Sequence, residues 1–408
     1  MRRRQALARL GAGLLGSAGL LGGTASAAGA SPATTPSPTP SPTPSATPSR
    51  AVWRHRAIAS YRALQEHLYL GELYREKYPL HEGENPYSYL WPLREATAAT
   101  LDLALVPGSG ARDDVPHRFT ALERYWTEAT RPPGYASYVV PPLGGGGDLF
   151  YDDNAIVALE LIRRYRRTGS RSLLARARLV FERLIHGWDT DPGHPSPGGV
   201  FWVDAGWTSI RAANATGLAA EVAAHLFALG RERAYLRWAT RMYEWNRATL
   251  RSPNGLYWNA IDLDGTIDET FWIYNSGAMI GAAALLYRAT HDRAWLAHAR
   301  ADADAALAYW RQDDRYVDQP AIFDAIFGKN LLLLHSLAPD PRYRQMVADY
   351  ADLTWHRNLD RELGLFRFPP SGGGPYDPTY RPETLEQSAM IQLFSVLAWR
   401  EQDLGEAA

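Results

Sequence analysis

The stretch ALELIRRYRRTGSRSLLARARLVFERLIH, residues 158–186, shows the pattern on which the fold prediction rests. Apolar residues recur at i, i+3 and i+4 on both sides of Thr168-Gly169-Ser170, and arginines occupy many of the positions between them. This spacing is typical of two helices that each bury one face, separated by a glycine-bearing turn. The stretch therefore predicts a helical hairpin.

The same period continues along the chain from residue 51 onward. Twelve such segments in six successive hairpins predict an all-α fold, a closed (α/α)6 barrel in which alternate helices form an inner and an outer ring. An open solenoid of helical repeats is the alternative, but the segments show no fixed repeat length with matching residues. The segments lie near residues 53–76, 87–105, 115–128, 153–168, 171–186, 210–229, 232–250, 273–290, 293–311, 320–337, 341–358 and 382–401.

Two short segments interrupt the helical pattern. Residues 198–203 and 255–262 are strand-like, and the turn Asp264-Gly265 follows the second. Because they are too short to build a core, they predict β-hairpins or loops on the rim of the barrel. Residues 262–269 resemble part of a calcium loop but lack the D-x-[DN]-x-[DN]-G spacing, so a plain turn is the preferred interpretation.

The composition excludes several classes of function. The 408 residues carry 43 Lys and Arg against 44 Asp and Glu, so no basic field exists to hold nucleic acid or anionic lipid. The absence of cysteine excludes a disulfide framework and thiolate metal sites. The eleven histidines form no ligand-spaced cluster, and no P-loop or dinucleotide-binding glycine motif occurs. These patterns therefore give no support for metal-dependent or nucleotide-dependent chemistry.

The N-terminal region has the pattern of an export signal and a linker. Residues 1–30 combine Arg2, Arg3 and Arg4 with an apolar run and the A-x-A site at 25–27, which predicts a secretory signal of the twin-arginine type. A membrane anchor is the alternative, but the apolar run is short and rich in glycine. Residues 31–50 form a Pro/Ser/Thr-rich linker, and residues 51–408 form the barrel domain. The predicted location is therefore outside the cell or in its envelope.

The strongest local motif is a four-glycine loop that runs into an acidic pair, GGGGDLFYDDN at residues 144–154. One interpretation is that Asp152 caps the following helix and Asp153 is an early-turn acid favoured by the helix dipole. The other is glycosidic cleavage, which needs two carboxyl groups on one bond, about 5–5.5 Å apart for retention of configuration. Adjacent residues reach that separation easily, because their Cα atoms lie about 3.8 Å apart.

Aromatic and amide side chains beside loops are candidates for sugar contacts. Aromatic faces stack on sugar rings, although core packing is the commoner role of any single tryptophan. Trp258 at a loop–helix junction belongs to this group. The predicted substrate-binding residues are Tyr151, Asn154, Trp202, Trp207, Asn214, Trp272, Tyr274, Asn275 and Gln387.

Four segments together resemble glycoside hydrolase family 76, the α-1,6-mannanases. They are YDDN at 151–154 followed by A-x-x-A-L, GVFW at 199–202, WIYNSG at 272–277, and AIFDAIF at 321–327. The third is similar to a T-Y-N-Q-G type sequence of the family and the fourth to its late F-K-G-I-F segment. They occur in family order over nearly all of residues 55–400.

The resemblance implies a retaining, endo-acting mannosidase on an (α/α)6 barrel, without metal or organic cofactor. Residue by residue, it makes Asp152 the nucleophile and Asp153 the general acid/base. It also implies a polysaccharide partner, α-mannan or a related α-glycan. We expect a monomer with no stable membrane span.

The chain departs from the family pattern at three positions. Ile156 and Val157 stand where members often have tryptophan, and Ser276 stands where glutamine is usual. These departures leave two alternatives open. One is a non-catalytic glycan-binding barrel, and the other is a barrel hydrolase or lyase acting on another wall polysaccharide.

Overall fold

The computed structural model describes residues 47–407, and this part of the chain contains twelve α-helices. The predicted export signal, and the predicted linker up to residue 46, lie outside the described residues. In chain order the helices are α1 (Arg50–Leu68), α2 (Leu90–Leu103), α3 (Val115–Leu122), α4 (Tyr151–Thr168), α5 (Arg171–His186), α6 (Ala213–Gly230), α7 (Arg233–Thr249), α8 (Ile273–Thr290), α9 (Arg293–Trp310), α10 (Ala321–Leu337), α11 (Pro341–Arg357) and α12 (Thr384–Ala398).

The even-numbered helices form a closed inner ring. Each of them contacts the next even-numbered helix, and α12 contacts α2, so the ring has no open end. Each odd-numbered helix packs on the outside, α1 against α12 and the others against an inner neighbour. The closed (α/α)6 barrel predicted from the hairpin pattern is therefore confirmed, and the open solenoid is excluded.

The two rings differ in residue pattern because they differ in burial. In the inner helix α6, alanine and leucine occur on all sides, and its residues 213–227 are all buried. In the outer helix α7, the buried residues lie on one face and arginines cover the other. A helix that is apolar all round belongs in an interior, whereas an amphipathic helix covers a core.

The described residues also form nine short strands, all of them in connections between the helices. All pair antiparallel: β1 (Trp126–Thr127) with β2 (Gly134–Tyr135), β3 (Leu149–Phe150) with β4 (Val203–Asp204), β5 (Arg211–Ala212) with β6 (Trp258–Ile261), β6 with β7 (Ile267–Phe271), and β8 (Leu359–Asp360) with β9 (Leu365–Phe366).

The two strand-like segments predicted from the sequence have different outcomes. Residues 255–262 contribute β6, which forms a hairpin with β7 around a turn closed by hydrogen bonds from Asp262 to Thr266 and from Gly265 to Asp262. Residues 198–203 instead make isolated bridges and enter β4, which pairs with the distant β3. Among the described residues, no three His, Cys, Asp or Glu side chains are grouped so as to hold a metal ion.

The connections are long at one end of the barrel only. Those that lead into inner helices span 69–89, 123–150, 187–212, 250–272, 311–320 and 358–383, and they carry all nine strands. Those at the other end are two or three residues long, apart from 104–114. The end at which the inner helices begin, called the mouth below, is therefore the elaborated end.

A closed ring of hydrogen-bonded side chains, called the ion ring below, lies inside the barrel. Its contacts measure 2.7 to 3.0 Å, apart from the shorter contact between Arg163 and Asp102. Three cations and three anions make the ring electrically neutral. In order it runs through Arg94, Glu160, Arg163, Asp102, Lys329, Gln392, Glu95 and back to Arg94.

Glu221 of α6 adds a fourth carboxyl beside this neutral ring. It shares with Arg94, Lys329 and Asn330 the wall of a cavity of about 30 Å³, and its carboxyl accepts a hydrogen bond from the Asn330 amide at 3.3 Å. Burial raises the pKa of Glu221 to about 8, so this carboxyl is mostly protonated at neutral pH.

Replacement of Glu221 by Gln should stabilise the protein increasingly as pH rises. The folded-state pKa of Glu221, about 8, lies above its ordinary value of 4.5. Its contribution to the free energy of unfolding is therefore fully present below pH 4.5 and is lost as the pH rises from 4.5 to 8. Glutamine does not titrate. The gap in Tm between variant and parent should therefore widen by a few degrees from pH 5 to pH 8, measured by calorimetry.

The exposed Glu244 on the outer surface provides the control. The difference in Tm between Glu244→Gln and the parent should not change with pH. A gap for Glu221→Gln that stays constant from pH 5 to pH 8 would contradict the assignment of a neutral buried acid.

Candidate active site

The acidic pair lies in the first turn of the inner helix α4. Strand β3 leads directly into the helix, whose N-cap is Phe150, and no side chain caps it. Asp152 is half-buried and Asp153 is 2 % exposed. The sequence left open whether Asp152 caps the helix, and in the structure it lies inside the helix rather than at its cap.

Both side chains lie toward the barrel axis at the mouth. Further along α4, Ile156 and Glu160 line the axial cavity, which fixes the face of the helix that points inward. Asp152 precedes Ile156 by four residues and Asp153 precedes it by three, so both lie one turn above it on the same side. The pair therefore borders the floor of the mouth.

The Asp152 carboxylate accepts three hydrogen bonds. One oxygen accepts from the Asp153 backbone N–H at 2.9 Å. The other accepts from the Trp202 indole N–H at 3.1 Å and from the Asn214 amide at 2.8 Å. Since every one of these groups donates, they hold the carboxylate in one orientation and suit its anionic form.

The local fold brings these donors together from distant parts of the chain. The pairing of β3 with β4 places residues 149–150 beside 203–204, and the Tyr151 N–H donates to the Trp202 carbonyl. Asn214 occupies the first turn of α6, the inner helix next to α4. Trp202 and Asn214, which we predicted to contact substrate, thus contact Asp152 directly.

Two aromatic groups border the mouth. Beside the pair, Trp202 packs edge to face against Phe150 and Trp207, with ring centroids 5.2 and 5.6 Å apart. On the other side, Tyr274 stacks on Phe323 at 3.9 Å. Since α4 and α10 face each other across the six-helix ring, Phe323 lies opposite the pair.

Sequence reasoning missed Phe323 and Trp91 as members of the second group. Trp91 stacks on Phe323 at 6.0 Å and donates its indole N–H to Glu95 of the ion ring at 3.0 Å, while the predicted Trp272 meets Phe323 edge on at 5.5 Å. Their positions in the sequence could have identified them, because both lie in the first turn of a predicted inner helix.

Three of the predicted substrate-binding residues hold the scaffold through their polar groups. Asn154 is fully buried and bonds the backbone of Tyr135 and Phe150 through three hydrogen bonds. Gln387 bonds the backbone N–H and carbonyl of Phe366. The Tyr151 hydroxyl lies 3.2 Å from the His186 ring. The structure thus shows these three polar groups bonded within the protein, and their contact with substrate stays a prediction.

The departures from the family pattern fall on buried positions. Val157 and Ile156 are 0 % and 4 % exposed, and Ile156 lines the axial cavity. Ser276 and its neighbour Asn275 are also buried. The prediction that Asn275 binds substrate therefore concerns a side chain that lies inside the packed helices.

The N-termini of all six inner helices meet at the mouth. The positive end of each helix dipole therefore faces the site, where it favours negative charge. Among residues 47–407 no helix combines the length and the apolar character needed to cross a membrane.

Curated relatives and solved structures are similar to this chain. The mannan endo-1,6-alpha-mannosidase DCW1 of Eremothecium gossypii is 26 % identical over 195 residues, 41 % of this chain and 42 % of that protein. The DCW1 of Saccharomyces cerevisiae is 24 % identical over 190 residues, 42 % of this chain and 41 % of that protein. The chain thus matches about two fifths of the length of these relatives.

Among solved structures, the family 76 mannosidase Bt3792 of Bacteroides thetaiotaomicron superposes with a TM-score of 0.75 at 21 % identity, over 85 % of this chain and 98 % of that chain. An inactive variant of the α-1,6-mannanase GH76A of Salegentibacter sp. HEL1_6 is bound to α-1,6-mannotriose. In that variant two adjacent aspartates are asparagine, and it superposes with a TM-score of 0.68 at 21 % identity over 85 % of this chain and 99 % of that chain.

The model of glycosyl hydrolase family 76 matches residues 55–388, most of the described barrel with both aspartates and the aromatic mouth. The chain belongs to glycosyl hydrolase family 76.

Proposed function

We propose that the protein is an exported, endo-acting α-1,6-mannanase that cleaves α-mannan with retention of configuration. The observation that carries the proposal is the adjacent pair Asp152 and Asp153 at the mouth, with three donors on Asp152. Family membership and the mannan-cleaving activity for which its relatives are named support the substrate class.

The arrangement suits a double displacement. Asp152, held as an oriented carboxylate, attacks the anomeric carbon while Asp153 protonates the leaving oxygen. Asp153 then takes a proton from a water molecule, whose oxygen attacks the anomeric carbon and breaks its bond to Asp152. This second inversion frees the sugar and gives net retention.

Asp152→Asn and Asp153→Asn should each lower kcat on linear α-1,6-mannan by about three orders of magnitude or more. Amides can neither attack as anions nor donate an acidic proton, while their shape preserves the helix turn. Product release followed by chromatography measures the loss. NMR of the first products, which should be α-anomers, tests retention.

The matched control is Asp292→Asn, which changes a helix-capping aspartate at the far end of the barrel. It should retain parental activity, and the two site variants should keep Tm within a few degrees of the parent. A parent that binds mannan but releases no product would identify a glycan-binding barrel. First products of the β-configuration would exclude retention.

Removal of the donors to Asp152 should slow the chemistry without weakening substrate binding. Trp202→Phe and Asn214→Leu each delete one N–H on the same carboxylate oxygen, a loss of about 1.5–3 kcal/mol for a charged hydrogen bond, so kcat should fall about 10- to 150-fold. Because both donors act on one oxygen, the double variant should lose less than the product of the single losses.

Steady-state kinetics on a mannooligosaccharide separates kcat from KM. Unchanged kcat in both single variants would show that these donors do not position the nucleophile.

The export proposal rests on residues 1–30, whose sequence has the charged, apolar and A-x-A parts of a signal. Fractionation of the expressing cells tests it. Protein outside the cytoplasm that begins near residue 28 would support cleavage, and full-length protein in the cytoplasm would exclude export.

A further inference from the structure

In the four-glycine loop before the acidic pair, Gly144 and Gly147 pack without room for a side chain. A Cβ on Gly147 would lie 2.5 Å from the Ser137 hydroxyl, and one on Gly144 would lie within 2.8 Å of Val139. Gly147 also has a φ of 121°, which non-glycine residues avoid. Gly144 and Gly147 therefore lie tightly against residues 137–139.

The tight loop fixes the position of Asp148, the residue that follows it. The Asp148 carbonyl accepts the Ser137 N–H at 3.0 Å, which ties the backbone down. The Asp148 carboxylate accepts the indole N–H of Trp207 at 2.9 Å. The loop thus presents one carboxylate to one tryptophan.

Trp207 is the most exposed tryptophan among the described residues, with 39 % of its surface accessible. It is nevertheless held on three sides. Asp148 takes its N–H, Trp202 meets it edge to face at 5.6 Å, and Phe150 lies 6.1 Å away. An exposed indole with so many fixed contacts loses little conformational entropy when a ligand stacks on it.

The contacts of Trp207 lead directly to the reacting group. Trp202, which touches Trp207, donates to the Asp152 carboxylate. The solvent-accessible indole thus lies one aromatic ring beyond the nucleophile, at the edge of the mouth. A sugar chain whose scissile bond reaches Asp152 passes this indole.

We infer that Trp207 is the stacking platform of an outer sugar subsite and that Asp148 is its positioning residue, so that together they set the preference for longer chains. The inference rests on the proposed function and extends it. The apolar face of a mannose ring packs on the indole, and the energy of that contact is available only to substrates long enough to reach it.

The test compares substrates of different length. On linear α-1,6-mannohexaose, Trp207→Ala should raise KM about tenfold with kcat changed less than threefold. On the trisaccharide, KM should change less than twofold, because a short chain fills the inner subsites alone. Trp207→Phe keeps a ring but loses the N–H, and should give an intermediate KM on the hexasaccharide.

The variants of Asp148 test whether its hydrogen bond positions the Trp207 indole or whether the side chain only fills space. Asp148→Ala should reproduce the length-dependent pattern of Trp207→Ala in weaker form, and Asp148→Asn, which keeps an acceptor oxygen, should restore parental KM. Trp295→Ala removes an indole from the outer helix α9 at the far end of the barrel, and should leave the length preference unchanged.

The outcomes distinguish this inference from the proposed function. A parent inactive on both substrates would contradict the proposed function. An active parent whose length preference survives Trp207→Ala, or a variant that raises KM equally on both substrates, would overturn the outer subsite alone. A fall in Tm with unchanged KM would make Trp207 a packing residue.

Discussion

The neutrality of the ion ring on the barrel axis is the constraint on which the site depends. Six parallel inner helices enclose a lumen that must be filled, and here charged side chains fill it. Isolated buried charges would cost many kcal/mol, but each charge in the ring has partners of opposite sign. Glu95 of the ring also accepts a hydrogen bond from the Trp91 indole N–H. The ion ring is therefore joined to the aromatic group that borders the mouth opposite the acidic pair. The ion ring consequently closes the interior of the barrel below the mouth, so that the mouth is a pocket and not an open channel.

The position of the chemistry at the mouth follows from the topology. In a ring of hairpins all inner helices begin at one end, and here long connections lead into them, whereas the opposite end has mostly tight turns. First-turn side chains from six helices therefore converge with loop residues such as Trp202 and Trp207. The adjacency of Asp152 and Asp153 in sequence becomes useful because one helical turn points both toward the axis.

The sequence predicted the twelve helices well, because each has its own apolar period and bounding turn. It also pointed to the acidic pair, whose catalytic role stays a prediction, and to Trp202, which contacts Asp152 in the structure. It could not predict the ion ring, since Glu95 and Gln392 are 297 residues apart and nothing local marks them as partners. It did not show the bonding of Asn154 either, because closeness to Asp153 along the chain does not reveal that a helix turns the amide toward the backbone of Tyr135.

In the proposed mechanism, Trp202 links substrate recognition to the orientation of the nucleophile. Its N–H holds Asp152 and its ring contacts Trp207, so the two functions share one rigid side chain. In the proposed subsite, a sugar stacked on Trp207 contacts one end of the pair Trp207 and Trp202, and the other end of this pair donates to the Asp152 carboxylate. In the outer subsite this contact raises affinity and leaves kcat nearly unchanged, because Trp202 and Asn214 hold the carboxylate in its orientation before a sugar binds. Gly147 is adjacent to this cluster, and its close approach to Ser137 fixes the backbone that leads into Asp148.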